Sequence, residues 1–380
     1  MSAFAVIFWV ALALLVYTQL GYVAVLAVLV RVVPTRTRTA AVLSRRMTVS
    51  VITAAHDEEA VIGAKVANAL ALEWPRAALE VVVAADGCVD GTVEAARAAG
   101  ADVVLDLARV GKIPALDAGV RASRGELLVF SDANVALDRA ALAALAEAFA
   151  DPDVGYACGQ VLFRQAGEGS SADNQEGLYW RYEMAVRTLE SRLASVTAGN
   201  GGLQAVRRSA YVEIDPRMDH DIYLPFHMVK RGLRAIYVPG AQGVEKMVPS
   251  IDGEFARKRR FMSHVWITVL RGGMLAPRGY GLRYSLMILS HRALRYSAWA
   301  LHLIALATNA LLLERGILYD VTFGLQLALY AAAALGGVLR LRPFLIARYY
   351  VAMNASIALG LWDCLRAPTP THWEAAEGTR

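Results

Sequence analysis

Ser131-Asp132-Ala133-Asn134 closes the strand-like run Glu126-Leu-Leu-Val-Phe130. A carboxylate at a strand's carboxyl end, with a second oxygen ligand two residues on, is suited to hold a divalent cation against a phosphate. Asn134 supplies a carbonyl oxygen for Mg²⁺ or Mn²⁺ without a second negative charge. The competing reading is a turn that leads into a helix near Asp138. Asp57 follows another strand-like run and Asp86 opens a glycine-containing turn. Both are placed to accept hydrogen bonds from a nucleobase or ribose, and equally to cap a helix or shape a turn. Lys112 follows Gly111 at a helix start, a place suited to phosphate. Asp221 opens the helix-like stretch Asp221-Ile-Tyr-Leu-Pro-Phe-His-Met-Val-Lys-Arg231, where a carboxylate serves as a general base or as an N-cap.

The elements that must position these residues alternate. Thr48–Ala55 reads as a strand, Glu58 to about Leu72 as a helix, and Leu79–Ala85 as a strand. A helix near Thr92–Ala99, a strand at Asp102–Leu105, a helix near Lys112–Ala122 and the strand Glu126–Phe130 follow. This alternation predicts an α/β fold with a mainly parallel sheet and helices on both faces. Ligands in that architecture sit beyond the carboxyl ends of the strands, where Asp57, Asp86 and Asp132 fall.

The flanks read differently. Hydrophobic residues make up 56% of the chain, more than an ordinary soluble domain carries. Phe4 to Val30 holds no formal charge and exceeds the roughly 20 apolar residues that cross a bilayer. With no basic segment before it and no small-residue cleavage site, it reads as a retained anchor. Arg31, Arg36, Arg38, Arg45 and Arg46 follow, which by the positive-inside rule puts the next segment in the cytoplasm. Glu254 to Arg271 reads as a basic amphipathic helix at the membrane surface, with Phe255, Phe261, Met262, Val265, Trp266 and Val269 toward one side. Three further apolar spans fall near Leu294–Leu313, Val321–Leu339 and Phe344–Trp362. Glu314, Arg315 and Asp320 belong to an outer loop and Arg340 and Arg342 to the inside, while Arg348 interrupts the last span. The net charge of +5 owes much to arginines beside the spans, which favours membrane lipids as partners over nucleic acid. Cys88, Cys158 and Cys364 lack metal-ligand spacing and read as free thiols. The expected layout is an N-terminal membrane helix (1–31), a basic juxtamembrane segment (32–47), a cytoplasmic domain (48–250), an amphipathic interfacial segment (251–283), membrane helices (284–365) and a tail (366–380).

The ordered series Ala54-Ala55-His56-Asp57-Glu58-Glu59, Asp86-Gly87-Cys88-Val89-Asp90-Gly91-Thr92, Gly111-Lys112, Ser131-Asp132-Ala133-Asn134, Gly199-Asn200-Gly201-Gly202 and Asp219-His220-Asp221 resembles the motifs of family 2 glycosyltransferases. The flanking spans resemble its membrane-embedded branch, which includes hyaluronan and cellulose synthases. The resemblance covers about residues 48–270 by motif and the rest by layout. It implies a GT-A-like, Rossmann-like nucleotide-sugar domain with flanking transmembrane helices, in which the carboxylates matching Asp57 and Asp86 contact a uridine and Asp132 and Asn134 hold the metal. It further implies that Asp221 takes the proton from an acceptor hydroxyl in a single inverting displacement, and that Asn200 and Gly201 lie in the loop lining the acceptor site. His220 replaces the usual preceding acid, with consequences for the base and for the fit of the acceptor. Arg257-Lys-Arg-Arg260-Phe261 stands where the family has Gln-x-x-Arg-Trp. There Arg257 and Arg260 are expected to meet the pyrophosphate and Phe261 the acceptor, although the altered motif puts long processive synthesis in doubt. The expected activity is transfer of a sugar from a UDP-sugar to a glycan or lipid-linked acceptor at the inner face of a bacterial plasma membrane. Two alternatives stand beside it: a polyprenyl-phosphate glycosyltransferase, whose ionised acceptor needs no strong base, and an inactive nucleotide-binding scaffold subunit. A nicotinamide-dinucleotide domain is disfavoured because no Gly-x-Gly-x-x-Gly follows the first strand.

Overall fold

The computed structural model describes residues 2–33, 47–164, 173–246, 251–339 and 341–371. Arg36, Arg38, Arg45, Arg46, Arg340 and the tail beyond Thr371 lie outside the described residues.

Eight strands form one sheet in the order β3-β2-β1-β4-β7-β6-β8-β5. They are β1 (Val49–Ala55), β2 (Leu79–Asp86), β3 (Val103–Leu107), β4 (Leu127–Ser131), β5 (Ala136–Leu137), β6 (Val154–Arg164), β7 (Leu203–Arg207) and β8 (Arg234–Lys246). β3, β2, β1 and β4 run parallel. β7 is antiparallel to both β4 and β6, whereas β8 runs parallel to β6 and pairs antiparallel with the two-residue β5. The reversal at β7 closes the parallel half, and this mixed far half is where the sheet departs from a doubly wound pattern.

Helices cover both faces because the strands are apolar on both sides. In β1, Val49, Val51 and Ala55 face a core shared with Ile62 and Val66 of α3 (Glu59–Leu70), Ala96 of α4 (Thr92–Ala98) and Leu142 and Leu145 of α6 (Ala141–Ala148). Ile52 and Ala54, on the alternate face, meet Ile113, Leu116 and Val120 of α5 (Lys112–Ala122) and Leu224 and Met228 of α8 (His220–Lys230). Each fully buried Val, Leu or Ile in these layers contributes about 1.5–3 kcal/mol. Together they make the sheet a stiff platform for the residues at its edge.

The flanking helices form a second body. Ala3–Val32 is a 30-residue rod made of α1 (Ala3–Val16), a π-helical turn and α2 (Tyr22–Val32). α12 (Ile317–Leu335) and α13 (Arg342–Arg366) are also long and apolar enough to cross a membrane. The span expected at Leu294–Leu313 is broken: a π-helical stretch ends at Leu294, and α11 covers only Ala298–Ala310.

α7 (Asp173–Leu193) and α9 (Ile251–Leu270) join the two bodies. Val186, Ile222, Met262, Val265 and Trp266 share one core with Tyr22 and Leu26. The amphipathic stretch expected to lie on lipid is therefore covered by protein along its apolar side. Trp266 donates Nε1–H to the Ile357 carbonyl at 3.0 Å, and Arg259 grips Asp363 of α13 through two bonds of 2.6 and 2.7 Å.

Candidate active site

Parallel register carries the carboxyl ends of β1, β2 and β4 to one edge. Ala55 pairs with Ala85 and Ile52 with Phe130, so His56 and Asp86 emerge side by side and Asp132 beside Ala54. Asp132 Oδ1 accepts from Lys112 Nζ at 2.6 Å. The Ser131 hydroxyl donates to the Gly202 carbonyl at 3.0 Å, which draws the glycine-rich loop against the strand end. The same loop is tied to α8, because Gly199 N–H donates to the Asp221 backbone carbonyl at 2.6 Å. Gly199 must lack a side chain: a Cβ there would lie 1.7 Å from the Tyr156 hydroxyl oxygen.

These elements bound a cavity of about 390 Å³, within the range of small-molecule sites. Lys112, Asp132, Asn134, Asn200, Gly201 and Asp221 line it, as do Arg257, Arg260 and Phe261 of α9. Asn200 is buried, and its Nδ2 finds no hydrogen-bond partner among the described residues, which leaves a donor toward the cavity. Arg257 is paired with Glu254 at 2.7 and 2.8 Å, whereas Arg260 is exposed at the rim.

Three expected contacts lie elsewhere. Asp86 is fully buried, and its carboxylate accepts from the N–H groups of Val110 at 2.6 Å and Gly111 at 3.0 Å. With both oxygens engaged by backbone, it builds the loop leading to Lys112 rather than facing a ligand. Asp57 is outside the lining, in the left-handed region at φ 50°, and accepts from Val89 N–H at 2.8 Å. His220 is 2% exposed and packed between Phe130 and Tyr211, so it stands behind the wall and touches no acceptor. Burial, with the Lys112 charge, pushes its ring down to about 3 and keeps it neutral.

Acidic charge is concentrated where the cavity crosses from strand ends to α8. Burial, then the neighbouring Asp219, pushes the Asp221 carboxyl up to about 7, against the opposing charges of Lys112 and Arg187. Burial also raises Asp219. Glu245 of β8 is pushed up to about 6 by burial and by Asp132. Burial alone would lower Lys112, but the charge of Asp132, with Asp219 and Asp221, outweighs it and raises the lysine as well. A carboxylate titrating near neutrality is suited to general base work.

The oxygen donors fit a hard divalent cation. Asn134 donates Nδ2–H to Glu245 Oε1 at 3.1 Å, which leaves its carbonyl oxygen available beside Asp132. Among the described residues, no third His, Cys, Asp or Glu closes a cage around Asp132; the one such trio is His56, Asp57 and Cys88, within 4.8 Å of one another and outside the lining. One carboxylate and one amide suit an ion that takes its remaining ligands from diphosphate and water.

Several residues in or behind the cavity wall escape the sequence reading. Asp219 was visible in the Asp219-His220-Asp221 motif. Lys65 lies beneath Asp132, donating to Ser131 Oγ at 2.6 Å and to the Val135 carbonyl at 2.7 Å, and burial lowers it to about 7. Its signal was a lysine on the face of α3 that carries Ile62, Val66 and Ala69. On α7, Trp180, Glu183 and Arg187 reach the cavity from one helical face. Glu245 had no local signal, because only the pairing of β5 with β8 brings it to Asn134.

Comparison with known proteins agrees with this arrangement. Residues 50–215 match the family model described as glycosyl transferase family 2. A 143-residue stretch is 27% identical to an N-acetylglucosaminyltransferase of Azorhizobium caulinodans, covering 34% of this chain. The match spans 36% of that curated relative's length. Among solved structures, the mannosyltransferase PcManGT from Pyrobaculum calidifontis, in complex with GDP-Man and Mn²⁺, superposes with a TM-score of 0.71 at 22% identity, over 95% of this chain and 99% of that one. The chain has a GT-A-like α/β fold flanked by helices able to span a membrane.

Proposed function

We propose that this protein is a membrane-bound inverting glycosyltransferase that moves a sugar from a nucleotide-sugar donor to a hydroxyl of a glycan or lipid-linked acceptor. The observation that carries the reading is the common opening of Asp132, Lys112 and Asp221 onto one cavity. Asp221 accepts the proton of the acceptor hydroxyl as its oxygen attacks the anomeric carbon, and the nucleoside diphosphate leaves on the opposite side. Lys112 and Arg260 offer cationic donors to the leaving group as its charge grows. Asp132 and Asn134 would hold Mg²⁺ or Mn²⁺, which as a Lewis acid stabilises that same charge. Asp86 acts indirectly, through the loop that presents Lys112. UDP is the favoured nucleotide on the motif resemblance, and the Asn200 loop is the acceptor-side wall. The long apolar helices support a membrane-bound enzyme, and the motif resemblance favours a bacterial plasma membrane with the sheet domain in the cytoplasm.

The test is nucleotide release by the purified full chain from a panel of UDP- and GDP-sugars, with Mn²⁺ or Mg²⁺ against chelator, in the presence of bacterial membrane lipids. Metal-dependent release with one donor, lost in Asp132→Ala and Asp221→Asn, is the expected result. Nucleotide binding with no turnover across the panel would instead support the scaffold alternative.

A further inference from the structure

The helical side of the cavity holds a cation that the transfer chemistry above does not use. Arg187 of α7 is 7% exposed and lines the cavity, and its Nε and Nη1 find no hydrogen-bond partner among the described residues. Its guanidinium carbon lies 5.8 Å from the centroid of the Trp180 ring. Arg292, 6% exposed, comes from the π-helical stretch Ile288–Leu294 and also lines the cavity. It donates to Thr197 Oγ1 at 2.9 Å and Tyr296 Oη at 3.1 Å but keeps Nη2 without a partner. Glu183 pairs with Arg295 at 2.7 Å, Glu190 accepts from Tyr22 and His291 at 2.7 Å each, and Asp221, which feels the Arg187 charge, still leaves Nε and Nη1 of that arginine without a hydrogen bond.

A buried guanidinium with open N–H groups bears a desolvation cost that an anion offsets. Open donors on two guanidiniums in one cavity match phosphate, whose oxygens take several Arg bonds at once. Tyr296 and Ile357, from the helical body with the apolar spans, line the same cavity. We infer that Arg187 and Arg292 form an anion niche that holds a phosphate group of the acceptor, so that the acceptor is a phosphorylated, lipid-linked sugar or a soluble sugar phosphate. This rests on the transferase reading and names the substrate class for its acceptor side.

The experiment is equilibrium binding to the full chain in a polyoxyethylene detergent, which carries no phosphate of its own. The probes are a fluorescent short-chain polyprenyl monophosphate and the matching polyprenyl alcohol, with inorganic phosphate as competitor. The wild type is expected to prefer the phosphate by about tenfold or more, a charge-assisted bond's worth. Arg187→Gln should erase that preference and Arg187→Lys restore part of it, with nucleotide affinity as the check on folding. Equal affinity for phosphate and alcohol in the wild type, which requires no variant, would overturn the niche, as would a preference that survives Arg187→Gln. Competition by inorganic phosphate supports the niche with a free phosphate as the source; its failure to compete while the preference holds supports a lipid-linked one. Donor turnover is followed in parallel. Intact phosphate preference with no turnover when bacterial membrane lipids supply acceptor hydroxyls refutes only the transferase reading, and turnover without phosphate preference refutes only the niche.

Discussion

The two walls of the cavity handle charge in opposite ways. On the strand side the cation is matched to an acid, Lys112 to Asp132, so a ligand there competes with protein for that charge. On the helical side Glu183 and Glu190 are held by Arg295 and His291, and the open donors belong to Arg187 and Arg292. On the proposed transfer, a diphosphate and its cation would exchange partners with the strand wall. The helical wall has a standing vacancy for an anion. Asp221 sits between them, raised by burial and by Asp219 and restrained by one cation from each wall, Lys112 and Arg187.

The largest effect should come from the residue between the walls. Asp221→Asn keeps the shape but cannot accept a proton, and transfer to a hydroxyl acceptor is expected to fall by about 10²–10⁴-fold. Nucleotide affinity should stay unchanged, and single-turnover transfer together with nucleotide titration checks both. A retained rate would place proton acceptance elsewhere or point to an acceptor already ionised. Breaking the strand wall with Asp132→Ala should cost about 10²–10³-fold in kcat, the scale of one lost electrostatic stabiliser. The loss should be accompanied by weaker Mn²⁺ dependence in the same assay.

On the helical wall the cost should appear as stability instead. Burial alone would push the Glu190 carboxyl up, but the charges of His291 and Arg292 outweigh it and hold it low. Glu190→Ala strands His291 and leaves Tyr22 and Thr197 without their acceptor. A buried pair broken from one side loses about 3–5 kcal/mol, measured as a drop in Tm of the detergent-solubilised chain. An unchanged Tm would mean that the network does not join the sheet domain to the helices.

The same division explains what could be read from the sequence. The strand wall was legible because strand ends announce themselves: Asp132 follows four apolar residues and a serine, and Asp57 follows the apolar run of β1, while Asp221 stands at a helix start. Local pattern did not reveal that Asp86 turns inward, since the two N–H groups that capture it lie 24 and 25 residues on. The position of His220 beside Asp221 points to the acceptor, but the first turn of α8 directs it into the core. Glu245 depends on a two-residue strand, and Arg187 stands in a polar helix where an arginine ordinarily reads as a solvated surface residue. The interfacial helix Glu254–Arg271 had the right residues on one side. Its partner, α13, lies about 100 residues away and could not be inferred from periodicity alone.

The smallest effect is the most discriminating, because its sign is set by which wall is altered. If Asp221 is the base, kcat/KM should rise with pH through an apparent pKa near 7 and fall about tenfold per unit below it. Removing a cation that favours the carboxylate raises its pKa, so Arg187→Gln should move that limb to higher pH. Removing a like charge lowers it, so Asp219→Asn should move the limb to lower pH. Each shift is expected to be about one unit or less, and each is read from the pH profile of kcat/KM at saturating metal. Shifts of opposite sign would place Asp221 under the control of both its neighbours, as the arrangement of charge requires. Two shifts of the same sign, or an immobile limb, would assign the titration to another group and detach the helical wall from the chemistry.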